Sequence, residues 1–451
     1  MGITTRLAED LCNIQTLNEQ DRKQLKLLLI DFLAASFAGY KQNREFNSAV
    51  EKIYFSQSGV KEAFVFLQKK KFPATKAAFI NSVYAHGAEL DDGNKKAMGH
   101  IGVHVIPSVF ALADKLHSTQ DEVLLGVATG YEAYIRISSA AQPGMVKRGF
   151  HSTGVAGTLA CAAACARLFH MDAPGIEAAI ALATTLTGGL LSYGDSRPAI
   201  KPLNPGKAAE NGMFAAMLAN EGVQGPTEAL EGPNGWFHAV TDSVDETMLK
   251  GCNHLLLHDC YFKLYPSCRH THCGIEAAIN LHKKLNNLDE IELINVYIYP
   301  NAIRLAGQIR FPKNSDETKF SIHYTLACAL LNGRYGISDM EVSNLSEKII
   351  AVINKINLIS DEIMEDRNRG IRGARIEATL KDGSIVEDTV LIPKGDPENP
   401  LTKDDILSKL RICAQNQVEE IMIKESVKLI EDIEGKNQFV NPMALMTGLS
   451  L

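Results

Sequence analysis

Residues 21–33 read Asp-Arg-Lys-Gln-Leu-Lys-Leu-Leu-Leu-Ile-Asp-Phe-Leu and place apolar side chains three and four positions apart behind a polar start. That spacing matches the 3.6-residue turn of an α-helix, so the stretch predicts a helix with a buried face. The same spacing recurs as far as residue 220 and predicts further helices at Lys76–Ala85, Val105–Leu116, Thr119–Ser139, Thr153–Phe169 and Pro174–Thr187. We therefore expect a large all-helical domain in this part of the chain.

Strand patterns are almost confined to the part of the chain after residue 290, with one short candidate earlier at Ala63–Leu67. Residues alternate between polar and apolar over Ala374–Leu380, turn at Asp382-Gly383, and alternate again over Ile385–Leu391. Asp-Gly between two such runs is a strong hairpin signal. A further β-rich run covers Ile294–Pro300, and helical patterns surround these strands at Glu276–Leu285, Ile322–Leu331 and Leu345–Ile356.

This change of pattern predicts three stretches of chain. Residues 1–262 form the first part of an all-helical domain, residues 263–397 form a smaller α+β domain, and residues 398–451 return to the helical domain. Two C-terminal helices are predicted at Lys403–Gln415 and Gln417–Ile433. The expected fold is mainly α with an inserted α+β domain, and clefts between domains are favoured places for small-molecule sites.

Composition and charge argue against several classes of protein. The formal net charge is -7 over 451 residues, whereas a nucleic-acid-binding protein needs a basic surface excess. Nine cysteines are scattered through apolar segments, which predicts reduced thiols and a cytoplasmic location. The first 18 residues carry Glu9 and Asp10 without an apolar core, so no signal peptide is expected. The apolar stretches are too short to span a bilayer, so we expect no membrane association.

Motifs that bind organic cofactors are missing from the sequence. There is no Gly-x-Gly-x-x-Gly after a strand and no phosphate-binding Gly-Lys-Ser/Thr loop. We therefore predict that the protein works without an organic cofactor.

Two segments place histidines beside groups suited to proton transfer. Asp91 and Asp92 precede a Gly-rich loop that holds His100, and a carboxylate bonded to one imidazole nitrogen leaves the other nitrogen for proton transfer. His151 stands just before an Ala-rich helix, where backbone N–H groups favour an anion, with Ser152 or Thr153 as the expected N-cap. The plainer alternatives are solvated charges at a helix end and a histidine that packs a helix start.

Three later segments add groups that hold or polarise a carboxylate. Lys201 lies in a Pro-constrained stretch predicted to be extended, and Arg269 offers a planar fork that matches a carboxylate. Tyr324 lies on an apolar helix and is predicted to donate to developing negative charge. An ordinary surface lysine and a core tyrosine are the simpler alternatives. A metal is an alternative at two places: Asp91, Asp92 and His100 in the first segment, and the cluster Cys268, His270, His272 and Cys273. The spacing of the second cluster is not the usual paired pattern of a zinc site, and no metal is predicted.

Taken in order, these segments resemble the MmgE/PrpD superfamily, which includes 2-methylcitrate dehydratase, cis-aconitate decarboxylase and iminodisuccinate epimerase. The resemblance extends from about residue 5 to about residue 440. The matching blocks are Glu89-Leu90-Asp91-Asp92, His100 ahead of Val105-Ile106-Pro107, Gly149-Phe150-His151, Lys201-Pro202-Leu203, Tyr265-Pro266-Ser267-Cys268, and Phe320-Ser321 with Tyr324.

The resemblance implies a helical domain with a smaller α+β lid domain, a homodimer, and metal-free acid–base chemistry on a small carboxylate. The residues assigned to catalysis are Asp91, Asp92, His100, His151, Lys201 and Tyr324. The residues assigned to substrate binding are Lys263, Arg269, His272 and Lys95.

Three places depart from the family pattern. Gly93 stands where a hydroxyl residue is common, residues 94–96 lack a common histidine, and Asn204 replaces a common histidine three positions after Lys201. We predict a lyase or isomerase that dehydrates, decarboxylates or epimerises a di- or tricarboxylate. The alternatives are a zinc-dependent hydrolase and a non-catalytic carboxylate-binding relative.

Overall fold

The structure is a computed structural model that describes residues 2–57, 59–192, 200–366, 369–433 and 438–446. The chain divides into two compact units. The helical unit comprises Met1–Gly87, Asp91–Tyr261 and Thr402–Leu451, and the sheet unit comprises Ala88–Leu90 and Phe262–Leu401.

The helical unit contains long helices and a few two-residue strands. Its helices are α1 Ile3–Cys12, α2 Glu19–Gln42, α3 Arg44–Phe55, α4 Ala74–His86, α5 Gly102–Leu116, α6 Gln120–Ala140, α7 Gly144–Lys147, α8 Ser152–Leu168, α9 Ala173–Ala183, α10 Leu203–Asn220, α11 Trp236–Val240, α17 Lys403–Ala414 and α18 Glu420–Glu431. Its strands are β1 Ala63–Phe64, β2 Lys71–Phe72, β3 Gly93–Asn94 and β4 Cys260–Tyr261, which pair as β1 with β2 and β3 with β4.

Helix α8 lies at the centre of this unit and is buried along nearly its whole length. It packs against α6 and α10 and is rich in the small residues Ala, Gly and Cys. A Cβ atom at Gly212 of α10 would lie 2.5 Å from Cβ of Cys161 on α8, so only glycine permits this approach. Small residues therefore permit the close packing of α8 against α10.

The C-terminal helix α17 packs against α2 of the same unit. Nζ of Lys409 on α17 lies 2.6 Å from Oδ1 of Asp31 on α2, and both side chains are buried. Buried charges are costly unless paired, so this contact defines how α17 docks on α2.

The sheet unit has a four-stranded sheet in the order β10 (Ile385–Val390), β9 (Ala374–Leu380), β5 (Ile291–Ile298) and β6 (Ile356–Ser360). Strands β5 and β6 are parallel and the other pairs are antiparallel, and helix α12 (His272–Lys284) packs against β9 and β10. Its helices are α12 His272–Lys284, α13 Pro300–Ala306, α14 Ser315–Thr318, α15 Ile322–Asn332 and α16 Glu347–Lys355. Its strands are β5 Ile291–Ile298, β6 Ile356–Ser360, β7 Glu365–Asp366, β8 Ile371–Arg372, β9 Ala374–Leu380 and β10 Ile385–Val390.

The predicted fold class, mainly α with a smaller α+β part, is confirmed. The predicted hairpin is β9 and β10, paired antiparallel with Val386 opposite Ala378. Several elements were not predicted, among them α1 at the N-terminal end, α3, and β6, which begins at Ile356 where the helical pattern was expected to end. Among the described residues, no helix combines the length and hydropathy that a bilayer crossing requires.

Candidate active site

In the helical unit, a buried carboxylate is shared by two imidazoles. Oδ2 of Asp91 lies 3.0 Å from Nδ1 of His86 and 2.9 Å from Nδ1 of His100. His86 is the last residue of α4, and its ring centroid lies 4.9 Å from that of His100. Sequence reasoning missed His86; its one signal was a histidine five positions before Asp91 at the end of an apolar helix.

The charge on Asp91 is stabilised despite its burial. Burial by itself raises the pKa of a carboxyl group, but the charges of His100 and His86, together with their hydrogen bonds, hold the pKa of Asp91 well below its usual range. Asp91 is therefore ionised at neutral pH and stabilises positive charge on the imidazoles beside it.

The tautomer of His100 follows from its neighbours. Its Nδ1 lies 2.9 Å from the backbone oxygen of Asp92 as well as 2.9 Å from the Asp91 carboxylate. Both neighbours are acceptors, so Nδ1 carries the hydrogen and Nε2 is the basic nitrogen of the neutral ring. The side chain is 11% exposed, more than Asp91 at 2%. Asp91 thus orients the His100 ring through Nδ1 and leaves Nε2 as the nitrogen that can take up a proton.

The side chain of Asp92 has hydrogen-bond partners different from those of Asp91. Its Oδ1 accepts from the backbone N–H of Gly102 at 2.9 Å and its Oδ2 accepts from the hydroxyl of Tyr131 at 2.8 Å. Through these contacts Asp92 connects the loop that carries His100 to Gly102, the first residue of α5. Burial, followed by the nearby charge of Asp31, raises the pKa of Asp92 to about 7.

We expect Asp92→Asn to change how the stability of the protein depends on pH. The folded-state pKa of Asp92 is raised, so between about pH 4 and about pH 7 the folded protein keeps a proton that the unfolded chain has released. Asp92 therefore costs stability progressively as pH rises through that window, by at most about 4 kcal/mol. The free energy of unfolding is measured with urea at several pH values for both proteins. We expect the variant to become more stable relative to the wild type from pH 5 to pH 8. The same pH dependence of the free energy of unfolding in both proteins would contradict the raised pKa.

His151 occupies the N-terminal end of α8. It is itself the N-cap residue, so the expectation of Ser152 or Thr153 as the N-cap is wrong. The hydroxyls of these two residues instead bind the loop that carries His100. Ser152 donates to the Met98 carbonyl at 2.6 Å, and Thr153 accepts from the His100 N–H at 3.2 Å. The start of α8 therefore positions His100 and His151 together. The ring of His151 lies 6.2 Å from that of His86.

Lys201 and Lys95 are also part of the helical unit. Lys201 is buried, and its carbonyl accepts from the N–H of Asn204 at 3.2 Å in a turn that leads into α10. The expected extended stretch is therefore a turn at this point. Lys95 follows the short strand β3 and is partly exposed. The assignment of both lysines to catalysis or substrate binding stays a prediction.

In the sheet unit, Lys263 is completely buried. Its Nζ donates to the backbone oxygen of Glu89 at 3.0 Å and to Oε2 of the same residue at 3.2 Å. Arg269 forms an ion pair with Asp396 and donates from Nη1 to Nδ1 of His272 at 2.8 Å. These protein contacts orient the three predicted substrate-binding side chains, and their contact with substrate stays a prediction.

Tyr324 lies on α15 in the core of the sheet unit. Its hydroxyl donates to the backbone oxygen of Asp339 at 2.6 Å, and burial raises the pKa of the phenol above its ordinary value. The predicted role of Tyr324 as a proton donor requires this hydrogen bond to be exchanged for one to the substrate.

Residues 268–273, for which zinc is an alternative, have hydrogen-bond partners within the protein. Nδ1 of His270 is hydrogen-bonded to the hydroxyl of Tyr299, and Nε2 of His272 lies 3.3 Å from the backbone oxygen of Ser267. Among the described residues of 262–401, no three His, Cys, Asp or Glu ligand atoms all lie within 4.8 Å of one another. In the structure the segment forms a short 3-10 helix, Arg269–Thr271, that leads directly into α12.

Comparison with known proteins identifies related sequences along most of the chain. The MmgE/PrpD N-terminal domain family matches residues 6–248, and the MmgE/PrpD C-terminal domain family matches residues 265–432. The chain is 26% identical to cis-aconitate decarboxylase of Homo sapiens, covering 96% of this chain and 92% of that protein. It is 25% identical to cis-aconitate decarboxylase of Aspergillus terreus, over 96% of this chain and 92% of that protein.

Proposed function

This chain belongs to the MmgE/PrpD family, and from that premise we propose that it is an acid–base enzyme acting on a small carboxylate. The observation that carries the proposal is the ionised Asp91 bound by His86 and His100. A carboxylate that orients an imidazole and stabilises its protonated form is a recurrent arrangement for proton transfer.

In this proposal His100 moves the proton. Its Nε2 takes a proton from, or returns one to, the carbon next to a substrate carboxylate, while Asp91 stabilises the imidazolium that forms. Negative charge develops on the substrate during this step and requires hydrogen-bond donors and cations around it. The N-terminal end of α8 and Lys201 are proposed to supply them, in the same unit as His100.

The reaction class that we favour is that of a lyase. The similarity to the cis-aconitate decarboxylases of two organisms supports decarboxylation, at an identity of 25–26%. Dehydration and epimerisation, as in other members of the superfamily, would use the same proton transfer. The departures at Gly93, Asn94 and Asn204 bear on which carboxylate is accepted. We propose that the enzyme acts as a homodimer without a metal or organic cofactor.

The proposal is tested with purified protein and four substrates: cis-aconitate, 2-methylcitrate, citrate and iminodisuccinate. Release of carbon dioxide, loss of water and deuterium incorporation in D₂O are measured for each. We expect at least one substrate to exchange or lose a group, with deuterium entering at the carbon next to a carboxylate. Binding of all four without any exchange would favour a non-catalytic relative.

The same protein sample tests the zinc-dependent alternative. Elemental analysis and activity after treatment with a chelator are measured side by side. We expect no stoichiometric zinc and unchanged turnover. One zinc per chain together with loss of turnover on chelation would overturn the cofactor-free proposal.

A further inference from the structure

The amide of Asn204 contacts the imidazole of His151 inside the helical unit. Its Nδ2 lies 3.0 Å from Nδ1 of His151 and 3.4 Å from the backbone oxygen of Leu190. A carbonyl oxygen can only accept, so the contact with Leu190 requires the NH₂ group of Asn204 on that side. The amide therefore donates to both neighbours, and Nδ1 of His151 is the accepting nitrogen.

The backbone around this contact leaves little freedom for the Asn204 side chain. The N–H of His151 donates to the Gly189 carbonyl at 3.0 Å, and the N–H of Leu191 donates to the Gly149 carbonyl at 2.8 Å. A Cβ atom at Gly154 would lie 3.1 Å from Cβ of Asn204, and one at Gly189 would lie 3.1 Å from its Cγ. Two glycines thus make room for the amide between α8 and the segment that carries Leu190.

The two histidines consequently carry their hydrogens on opposite nitrogens. His100 donates from Nδ1 to Asp91 and the Asp92 carbonyl, which leaves Nε2 basic. His151 accepts at Nδ1, so in its neutral form the hydrogen is on Nε2. The first arrangement suits a base and the second suits a hydrogen-bond donor to an anion.

Resting on the proposed function, we propose that Asn204 is a positioning residue that holds His151 as a neutral hydrogen-bond donor, through Nε2–H, to the carboxylate substrate. An amide does not ionise, so it cannot supply the negative charge that would favour an imidazolium. The start of α8 also favours the neutral ring, because its backbone N–H groups carry partial positive charge. The ring of His86 on α4, which is bound to Asp91, lies 6.2 Å from that of His151, and the titratable residue Lys201 lies in the turn that leads to Asn204.

Asn204→Asp tests this role with a change of nearly the same size. The carboxylate would accept from Nδ1, so His151 becomes an imidazolium at low pH and a ring with Nδ1–H at high pH. Nε2 then loses its hydrogen as pH rises, and we expect kcat/KM to fall about 10- to 100-fold across that transition, the effect of losing one charge-assisted hydrogen bond. In the wild type, kcat/KM should not show this fall as the pH rises. Asn211→Asp, which adds the same charge to α10 at a residue bonded to the Leu186 carbonyl, is the matched control.

Nitrogen NMR of the unliganded protein reads the tautomer without any need for turnover. With ¹⁵N-labelled histidine, and His151→Gln to assign the signal, the wild type and Asn211→Asp should show a pyridine-type shift at Nδ1 and a pyrrole-type shift at Nε2. Asn204→Asp should reverse this or show a protonated ring. A pyrrole-type Nδ1 in the wild type, or identical spectra for wild type and Asn204→Asp, would overturn the proposal. Correct tautomers in a protein that turns over no carboxylate would instead overturn the proposed function.

Discussion

A His100→Gln variant is expected to lose about 10²- to 10⁴-fold in kcat, the range found when a general acid or base is removed. Glutamine keeps a hydrogen-bonding group near Asp91 but cannot take up a proton at neutral pH. The measurement is steady-state turnover of whichever carboxylate is accepted in the substrate panel. A chemical role for His100 predicts that KM changes much less than kcat.

The matched control is His238→Gln, which makes the same change at an exposed histidine of the same unit. Its kcat should stay within about twofold of the wild type. Thermal unfolding of both variants separates a chemical effect from a loss of folded protein. A folded His100→Gln enzyme that retains wild-type kcat would remove His100 from the chemistry and leave His151 as the next candidate.

A Lys409→Met variant is expected to destabilise the protein by about 3–5 kcal/mol, because it removes the cation beside the buried carboxylate of Asp31. The methionine fills a similar volume, so the loss comes from the charge that stays behind rather than from a cavity. Adding Asp31→Leu should recover much of the lost stability, because both charges are then gone. Urea unfolding of the two variants and the wild type gives these free energies.

Helix α17 also provides the control for this experiment. Lys403 forms an ion pair with Glu431 in which the lysine is exposed and the glutamate is partly exposed to solvent. Lys403→Met should therefore change stability by no more than about 1 kcal/mol. Equal losses for Lys403→Met and Lys409→Met would show that burial of the Asp31 pair has no special effect on stability.

The fold was predictable from the sequence wherever a segment is long and strongly periodic. Helix α6 and the β9–β10 hairpin were placed to within two residues, because their patterns decide which face is buried. Strand β6 was missed because Ile356–Ser360 directly follows helix α16 without a turn residue, so the helical pattern hid it. The parallel pairing of β5 with β6 depends on contacts distant in sequence, which periodicity does not contain.

The candidate site was predictable by residue type more than by role. Asp91 and Asp92 are adjacent and looked equivalent, yet one binds two imidazoles while the other binds Gly102 and Tyr131. That difference arises from the direction of each side chain in a loop, which sequence spacing does not determine. Asn204 was visible as a departure from the family pattern, but its contact with His151 required the structure.

Helix α17 belongs to the helical unit but follows the sheet unit in sequence, and this order has a consequence for the synthesis of the protein. The ribosome must synthesise Phe262–Leu401, which is 140 residues (401 minus 261), between the first helices of that unit and α17. At about 5–20 residues per second this takes roughly 7–28 seconds. During that time the nascent chain lacks α17, so the apolar surface of α2 that α17 covers is available to chaperones. The helical unit is thus completed only after the whole sheet unit has been synthesised.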